Sequence, residues 1–322
     1  MTYKSIKDMP QVGFGLWKIP QEVCSNTVFK AIESGYRHLD SASDYGNEKE
    51  VGEGIKAAID QGLCKREDLW ITSKLWNTYH HPNHVKPALE KTLQDLGLDY
   101  LDLYMIHFPI SLEFVPFDER YPPEWFHDPD NAEPKMMPSR VPLSNTWRAM
   151  ESLKEGDLTK HIGICNYSSS LLHDLMNYCE TKPEILQIES HPYLTQEKLI
   201  RLAKNYGLEV TAFSPLGSIS YEELGGAEES ESLLRNEIIK SIAKDLDISP
   251  AQLILSWALN RGTSIVVKSN DESRMKENLN ASEIKLDQST IDKISALNIN
   301  KRYNDPGIFC EDAFNTFFPI YD

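Results

Sequence analysis

Eight short apolar runs, each followed by a segment with helical periodicity, constrain the fold of this chain more than any other feature. They are rich in β-branched and aromatic residues, and they read QVGFGLW, YRHLD, DLWITSKLW, LDLYMIHF, KHIGICN, EILQIES, LEVTAFSP and SIVVKSN. Strands that alternate with helices favour a parallel sheet. Eight such units fill a closed barrel, which takes about 250 residues before insertions. We therefore predict an α/β fold, a single (β/α)8 TIM barrel domain over residues 1–322.

Two segments exceed what such a barrel needs. Residues 109–142, after the fourth strand, are rich in proline and aromatic side chains and are too long for an ordinary connection. A long loop in a compact domain is usually a lid or a binding loop. A C-terminal extension follows the eighth unit. In the third helical segment, Val85, Leu89, Leu93 and Leu96 share one face, and a glycine follows, which predicts where that helix ends.

Charge and cysteine content exclude several classes of partner. The chain carries 33 basic and 49 acidic residues, for a net charge of -16, which opposes binding to nucleic acid or to an anionic membrane. Its five cysteines are scattered without ligand spacing, so we predict neither disulfides nor a metal site. No signal core or membrane-length apolar run is present. We expect a cytoplasmic monomer or homodimer.

Ionisable residues stand at the ends of three of the strand runs. Asp40 ends the second run, Lys74 and His107 end the third and fourth, and Tyr45 follows Asp40 closely. Taken singly, each is more typical of a structural role, but the carboxyl ends of barrel strands meet at one face. An ammonium beside a phenol lowers the pKa of the phenol, and a carboxylate keeps the ammonium charged. The pattern predicts a catalytic group with Tyr45 as proton donor near neutral pH.

These motifs resemble the aldo-keto reductases, and within them the aldose reductase and fungal xylose reductase group. The matching segments run almost end to end: GFGLWK, GYRHLDSASDYGNEKEVGEGI, KREDLWITSKLWN, DYLDLYMIHFP, IGICNY, LQIESHPYL, SPLGS, VVKSNDESRMKENL and RYNDP. The resemblance implies reduction of an aldehyde to an alcohol with NAD(P)H. In that reaction Tyr45 would be the general acid, Lys74 and Asp40 would tune it, and His107 would orient the carbonyl.

The resemblance also implies where a nicotinamide cofactor binds, since no GxGxxG motif follows a strand. From the nicotinamide to the adenine end, the implied residues are Asn166, Gln187, Phe213, Ser214, Leu216, Ser218, Lys268, Ser269, Asn270, Arg274, Glu277 and Asn278. Cys165 stands where the family usually has serine, and a thiol is a weaker donor. Phe213 replaces the usual stacking tyrosine and keeps the aromatic face.

The loop KSNDESR bears on the choice between the two nicotinamide cofactors. Lys268 and Arg274 flank it, and two cations around a small polar loop suit a 2′-phosphate. Asp271 and Glu272 lie in the same loop and would repel that phosphate unless they point away. We predict NADPH as the cofactor, with use of NADH left open.

Six further positions match the substrate pocket of the family: Trp17, Asp44, Trp76, Phe108, Trp125 and Asn304. Asp44 and Asn304 suit the hydroxyl groups of an open-chain sugar, which predicts reduction of a xylose-like aldose to its polyol. A sugar phosphate or uronate is the alternative, because Arg120, Lys135 and Arg140 lie in the long loop. A barrel that binds a nucleotide without turnover is a third interpretation.

Overall fold

Eight parallel strands close into a barrel in the computed structural model, which describes residues 4–321. The strands are β1 (Val12–Gly15), β2 (His38–Asp40), β3 (Trp70–Leu75), β4 (Leu101–Ile106), β5 (Thr159–Cys165), β6 (Ile185–Glu189), β7 (Glu209–Phe213) and β8 (Ser264–Val267). Each strand pairs with its neighbours in sequence, and β1 pairs with β8 to close the ring. The predicted (β/α)8 fold and its eight strands are confirmed.

Helices follow the strands in the expected alternation, with two after β7 and two beyond the barrel. They are α1 (Gln21–Glu33), α2 (Glu48–Asp60), α3 (Pro82–Leu96), α4 (Leu143–Glu155), α5 (Ser169–Tyr178), α6 (Glu197–Asn205), α7 (Glu237–Asp245), α8 (Pro250–Asn260), α9 (Glu272–Asn280), α10 (Gln288–Ser295) and α11 (Pro306–Phe314). Between residues 4 and 321, no helix is long and apolar enough to cross a membrane.

Helix α3 shows how the local sequence sets an element. It begins with proline at its first position, where the missing N–H costs nothing, and the side chain of His81 caps it. The four residues predicted to share its inner face are all buried. It ends at Gly97, whose φ of 64° is left-handed and favours glycine. The predicted face and end of this helix are confirmed.

The interior of the barrel holds large apolar side chains near the amino-terminal ends of the strands and a charged pair near their carboxyl ends. Side chains alternate along a strand, so residues two apart share a side. Trp70 in β3 packs with Leu103 and Ile185 in the amino-terminal half of the barrel. On the same side of β3 and β6, further along, stand Lys74 and Gln187, both buried. The ion pair therefore lies at the carboxyl end of the barrel, while His38 and His161 are buried nearer the amino-terminal end, beside Trp70.

Close packing in the interior explains one glycine in β5. A Cβ at Gly163 would lie 2.4 Å from Cγ2 of Ile185 and 3.1 Å from Cγ of Met105. A larger residue would overfill this layer of the barrel.

The long loop after β4 and the C-terminal tail pack on each other. Within the loop, Leu112 and Pro138 form an antiparallel bridge. The backbone N–H of Met136 donates to Oγ1 of Thr316 in the tail at 3.0 Å, and the tail's Asn315 donates back to a loop carbonyl. These contacts confirm the predicted long loop and extension as ordered parts of the fold.

Candidate active site

A buried ion pair lies where β2 and β3 end. Nζ of Lys74 donates to Oδ1 of Asp40 at 2.5 Å, to the carbonyl of Ser41 at 2.7 Å and to the hydroxyl of Tyr45 at 3.2 Å. Lys74 and Asp40 are 1% and 3% exposed. Burial is the largest single effect and lowers the pKa of Lys74, but its interactions with Asp40, Tyr45 and Cys165 together outweigh burial, and the pKa is raised. The ammonium therefore stays charged.

The pKa of Tyr45 differs from the sequence-based prediction. Lys74 acts in the predicted direction, because its charge stabilises the phenolate. Burial of the phenol is the larger effect, and the pKa of Tyr45 is raised. The predicted lowering was therefore wrong for this structure. Tyr45 keeps its proton throughout the neutral range, which is the state that a proton donor needs.

His107 follows β4 and lines the same cavity as Tyr45. Its ring packs at 5.9 Å from that of Tyr45, 5.4 Å from that of Trp76 and 4.9 Å from that of Phe108. Burial, with the charge of Lys74 beside it, lowers the pKa of His107 well below its usual value. The imidazole is thus neutral, with one nitrogen able to donate a hydrogen bond and the other able to accept one.

A cavity of about 1160 Å³ opens at the carboxyl end of the barrel and runs from Asp40 to the start of α9. Most of the predicted site residues line it: Trp17, Asp40, Asp44, Tyr45, His107, Phe108, Trp125, Asn166, Gln187, Phe213, Ser214, Leu216, Lys268, Ser269, Asn270, Arg274, Glu277, Asn278 and Asn304. Lys74 and Trp76 are buried behind the wall. Ser218 is also buried and donates to Glu222, so it is not brought to the cavity.

A hydrogen-bond network joins the ion pair to β5 and β6, across the barrel. Nε2 of Gln187 donates to Oδ2 of Asp40 at 2.7 Å, so both oxygens of this carboxylate are engaged. Oε1 of Gln187 faces the thiol of Cys165 at 3.6 Å. Nδ2 of Asn166 donates to the carbonyl of His107 at 2.9 Å. The residues predicted to hold the nicotinamide are thereby tied to those predicted for catalysis.

At the far end of the cavity, both acidic residues of the KSNDESR loop have other partners. Asp271 caps α9 by accepting from the backbone N–H of Arg274 at 2.8 Å. Glu272 pairs with Lys30 in α1. The side chains of Lys268 and Arg274 are exposed beside the amino-terminal end of α9. Positive side chains at a helix N-terminus make a site for an anion.

Sequence reasoning missed a bridge across the cavity. Lys18, after β1, pairs with Glu223 at 3.0 Å and donates to the carbonyl of Ser220 at 3.0 Å. Both charged residues line the cavity. Lys18 directly follows the predicted Trp17, but Glu223 lies in an irregular acidic loop where no periodic pattern marks it. Only the tertiary structure brings the two loops together.

Glu189 anchors the start of the C-terminal tail. It is fully buried, pairs with His191 at 3.0 Å and accepts from the backbone N–H groups of Tyr303 and Asn304, both at 2.9 Å. This anchor holds Asn304 at the cavity wall. Among residues 4–321, no group of three or more His, Cys, Asp or Glu side chains is arranged to hold a metal ion.

Aromatic rings from the long loop and the tail form the wall beside Tyr45. Trp125 packs 4.8 Å from Trp76, 5.4 Å from Phe108 and 5.5 Å from Phe314. Asp44 also lines this end, where burial, with the charge of Glu124 adding to it, raises its pKa to about 7. This end of the cavity therefore combines apolar rings with a carboxyl group that titrates near neutral pH.

The buried ion pair can be tested by stability. Lys74→Met leaves Asp40 buried without its partner, so we expect the free energy of unfolding to fall by about 3–5 kcal/mol. The matched control is Lys56→Met, which breaks an exposed pair with Asp60 and should leave stability unchanged within error. The double variant Asp40→Leu/Lys74→Met should recover much of the loss. Chemical denaturation measures all three, and equal stability of the two single variants would contradict the assignment.

Comparison with known proteins identifies the family. Residues 11–299 match the sequence model of the Aldo/keto reductase family. The chain is 45% identical to the NAD(P)H-dependent D-xylose reductase of Kluyveromyces lactis, with 98% of each chain covered. It is 46% identical to the NADPH-dependent aldose reductase of Saccharomyces cerevisiae, with 96% of each covered. The solved structure of the aldose reductase from Schistosoma japonicum is 34% identical to this chain, with a TM-score of 0.84. The match covers 97% of this chain and 95% of the other. This chain therefore belongs to the aldo/keto reductase family.

Proposed function

We propose that the protein is an aldose reductase that converts the aldehyde of an open-chain, xylose-like sugar to the polyol with NADPH. The observation that carries this proposal is the hydroxyl of Tyr45, which lies 3.2 Å from the ammonium of Lys74 on the wall of a large cavity. A neutral His107 stands beside it. The names of the fungal relatives support the same substrate class.

Reduction of an aldehyde adds a hydride to carbon and a proton to oxygen. When bound, NADPH supplies the hydride. Tyr45 gives its proton to the carbonyl oxygen as negative charge develops there. Lys74 stabilises the phenolate that remains, and Asp40 holds the ammonium in place. His107 donates a hydrogen bond to the carbonyl oxygen and so orients and polarises it.

The residues of the cavity fit an elongated dinucleotide. Asn166 and Gln187 would hold the carboxamide, and Phe213 would offer an aromatic face to the ring. Ser214 and Leu216 would line the pyrophosphate, and the exposed Lys268, Asn270 and Arg274 would take the 2′-phosphate with Ser269, while Glu277 and Asn278 would face the adenine. Glu272 is paired with Lys30, so Lys268 and Arg274 face one carboxylate without a cationic partner among the described residues, that of Asp271, and the site stays net positive. This arrangement favours NADPH over NADH.

A sugar fits the other end of the cavity. Asn304 lines this wall, and its Oδ1 is buried without a hydrogen-bond partner among the described residues, so the amide has an acceptor that the fold itself does not use. Asp44 supplies a second acceptor on the same wall. Rings such as those of Trp17 and Trp125 can pack against the C–H faces of a sugar. Polar acceptors between aromatic walls suit a polyhydroxy aldehyde better than an apolar one.

The alternative of an anionic sugar lacks support at this wall. The guanidinium of Arg120 donates its hydrogen bonds to backbone carbonyls of its own loop, those of Pro123 and His127. Neither it nor Lys135 or Arg140 is among the residues lining the cavity in the described part of the chain. A phosphate or carboxylate would want such a cation close by. The neutral aldose is therefore the better substrate.

We also propose that the whole chain works as one catalytic domain. The long loop and the C-terminal tail both supply walls to the cavity of the same barrel, through residues such as Trp125 and Phe309.

The function is tested by initial rates of NADPH and NADH oxidation with xylose, a hexose, a hexose phosphate, a uronate and an apolar aldehyde. We expect neutral aldoses to dominate and Tyr45→Phe to lower kcat by about 10²–10⁴-fold with cofactor binding kept. Tyr206→Phe is the matched control, because its hydroxyl bonds His173, and Tyr206 is not among the residues that line the cavity in the described part of the chain. Higher rates with the hexose phosphate or the uronate than with the neutral sugars would contradict the assignment of a neutral aldose. NADPH binding without any turnover would favour a non-catalytic barrel.

A second prediction concerns pH. The acid form of Tyr45 is active in reduction, and its pKa is raised, so its proton is lost only above its ordinary value of about 10. We expect that, at saturating NADPH, ionisation of Tyr45 causes no change in kcat/KM between pH 6 and 9. The KM for the sugar should rise as pH falls through about 7, where Asp44 takes up a proton, and Asp44→Asn should abolish that change. An alkaline limb near pH 8 that persists in Asp44→Asn would contradict the raised pKa.

A third prediction concerns the choice of cofactor. Arg274→Ala removes a charged donor for the 2′-phosphate, so the Kd for NADPH should rise about 10- to 100-fold. The Kd for NADH should change less than about twofold, since NADH lacks that group. Lys276→Ala removes an exposed charge of the same sign from the same helix and serves as the control. An equal loss for both cofactors, measured by fluorescence titration, would overturn the assignment.

A further inference from the structure

The tail of the chain reaches the predicted nicotinamide end of the cavity through Tyr321. Its hydroxyl lies 3.3 Å from Oδ1 of Asn166 and 3.3 Å from the backbone carbonyl of the same residue. Asn166 is 2% exposed, so these oxygens have little water to bond to. The proton of Tyr321 is thus donated to Asn166, which follows β5.

The other side of Asn166 is also engaged. Its Nδ2 donates to the carbonyl of His107 at 2.9 Å and contacts Sγ of Cys165 at 3.3 Å. Rotating the amide by half a turn would set Oδ1 against the His107 carbonyl, two acceptors without a proton between them. The donor from Tyr321 and the acceptor from His107 therefore select one orientation of this amide.

Tyr321 is itself held in place. The guanidinium of Arg302 lies 3.6 Å from the centre of its ring, a cation–π contact. Arg302 directly precedes the backbone N–H groups that Glu189 binds. Burial raises the pKa of Tyr321 in spite of the positive charge of Arg302. The hydroxyl therefore keeps the proton that it donates to Asn166.

We propose that Tyr321 is a positioning residue for the cofactor: it fixes the side-chain amide of Asn166 in the orientation that receives the carboxamide of the nicotinamide. The C-terminal tail thereby sets cofactor affinity as well as the shape of the substrate end. This inference rests on the proposed function, because it needs a nicotinamide cofactor in this cavity.

The backbone of Asn166 makes this support useful. Its φ of 63° is in the left-handed region, which a residue with a Cβ adopts at some cost. The neighbouring contacts must hold both backbone and side chain there. Tyr321 is the contact from outside the barrel strands, since His107 and Cys165 both belong to strand ends.

The test is Tyr321→Phe, which keeps the ring over Arg302 and removes only the hydroxyl. We expect the Kd for NADPH, measured by quenching of protein fluorescence, to rise about two- to tenfold. This range corresponds to the net free-energy contribution of one buried hydrogen bond. The melting temperature should fall by no more than about 2–4 °C, as expected for the loss of one hydrogen bond. Phe317→Ala is the matched control, because this tail side chain is 66% exposed and should leave the Kd unchanged.

A double-mutant cycle separates positioning from general packing. In an Asn166→Gly background, chosen because glycine tolerates a positive φ, Tyr321→Phe should cause no further rise in Kd. A wild-type Kd equal to that of Tyr321→Phe would overturn the inference alone, as would an undiminished effect in the Asn166→Gly background. Failure of the wild-type protein to bind NADPH at all would instead overturn the proposed function.

Discussion

The buried pair of Lys74 and Asp40 is the interaction on which the rest of the site depends. Two charges in a barrel interior lose their hydration, and only close geometry with further hydrogen bonds compensates. Here the ammonium donates to the carboxylate, to the carbonyl of Ser41 and to the hydroxyl of Tyr45, and the carboxylate also accepts from Gln187 of β6, across the barrel. Tyr45, the ion pair and the amide of Gln187 therefore form one network. If one of them moves, a buried polar group loses its hydrogen-bond partner.

The barrel also places the charged pair and the large apolar side chains at different depths. Alternation along each strand sends Trp70 into the amino-terminal half and Lys74 into the carboxyl-terminal half of the same interior. The amino-terminal half adds apolar packing, and its buried His38 and His161 both have hydrogen-bond partners. The carboxyl-terminal half is then covered from above by two irregular segments, the long loop and the C-terminal tail, which bond to each other. Rigid strands hold the chemistry, while the covering segments shape what can reach it.

How far the sequence predicts the site differs from residue to residue. Asp40, Lys74 and His107 could be placed together because strand ends of a parallel barrel must share a face, and the structure brings them together. The direction of the Tyr45 pKa could not be predicted, because the charge of Lys74 and the loss of solvent act oppositely and only the folded geometry gives their sizes. Ser218 lies in a matching motif, yet its side chain turns to Glu222. The pairing of Lys18 with Glu223 joins two loops without periodic signal.

The sequence by itself determined the eight strands, their order and the chemical identity of the groups at their ends, because alternation and helical periodicity are local properties of the chain. It also carried the motifs that mark the family. Only the tertiary structure decided which partners the carboxylates near the cations of α9 have, which rings line the cavity, and that Tyr321 bonds Asn166. Those outcomes depend on contacts between residues far apart in the chain and on the exclusion of water, and neither is encoded in any short stretch of sequence.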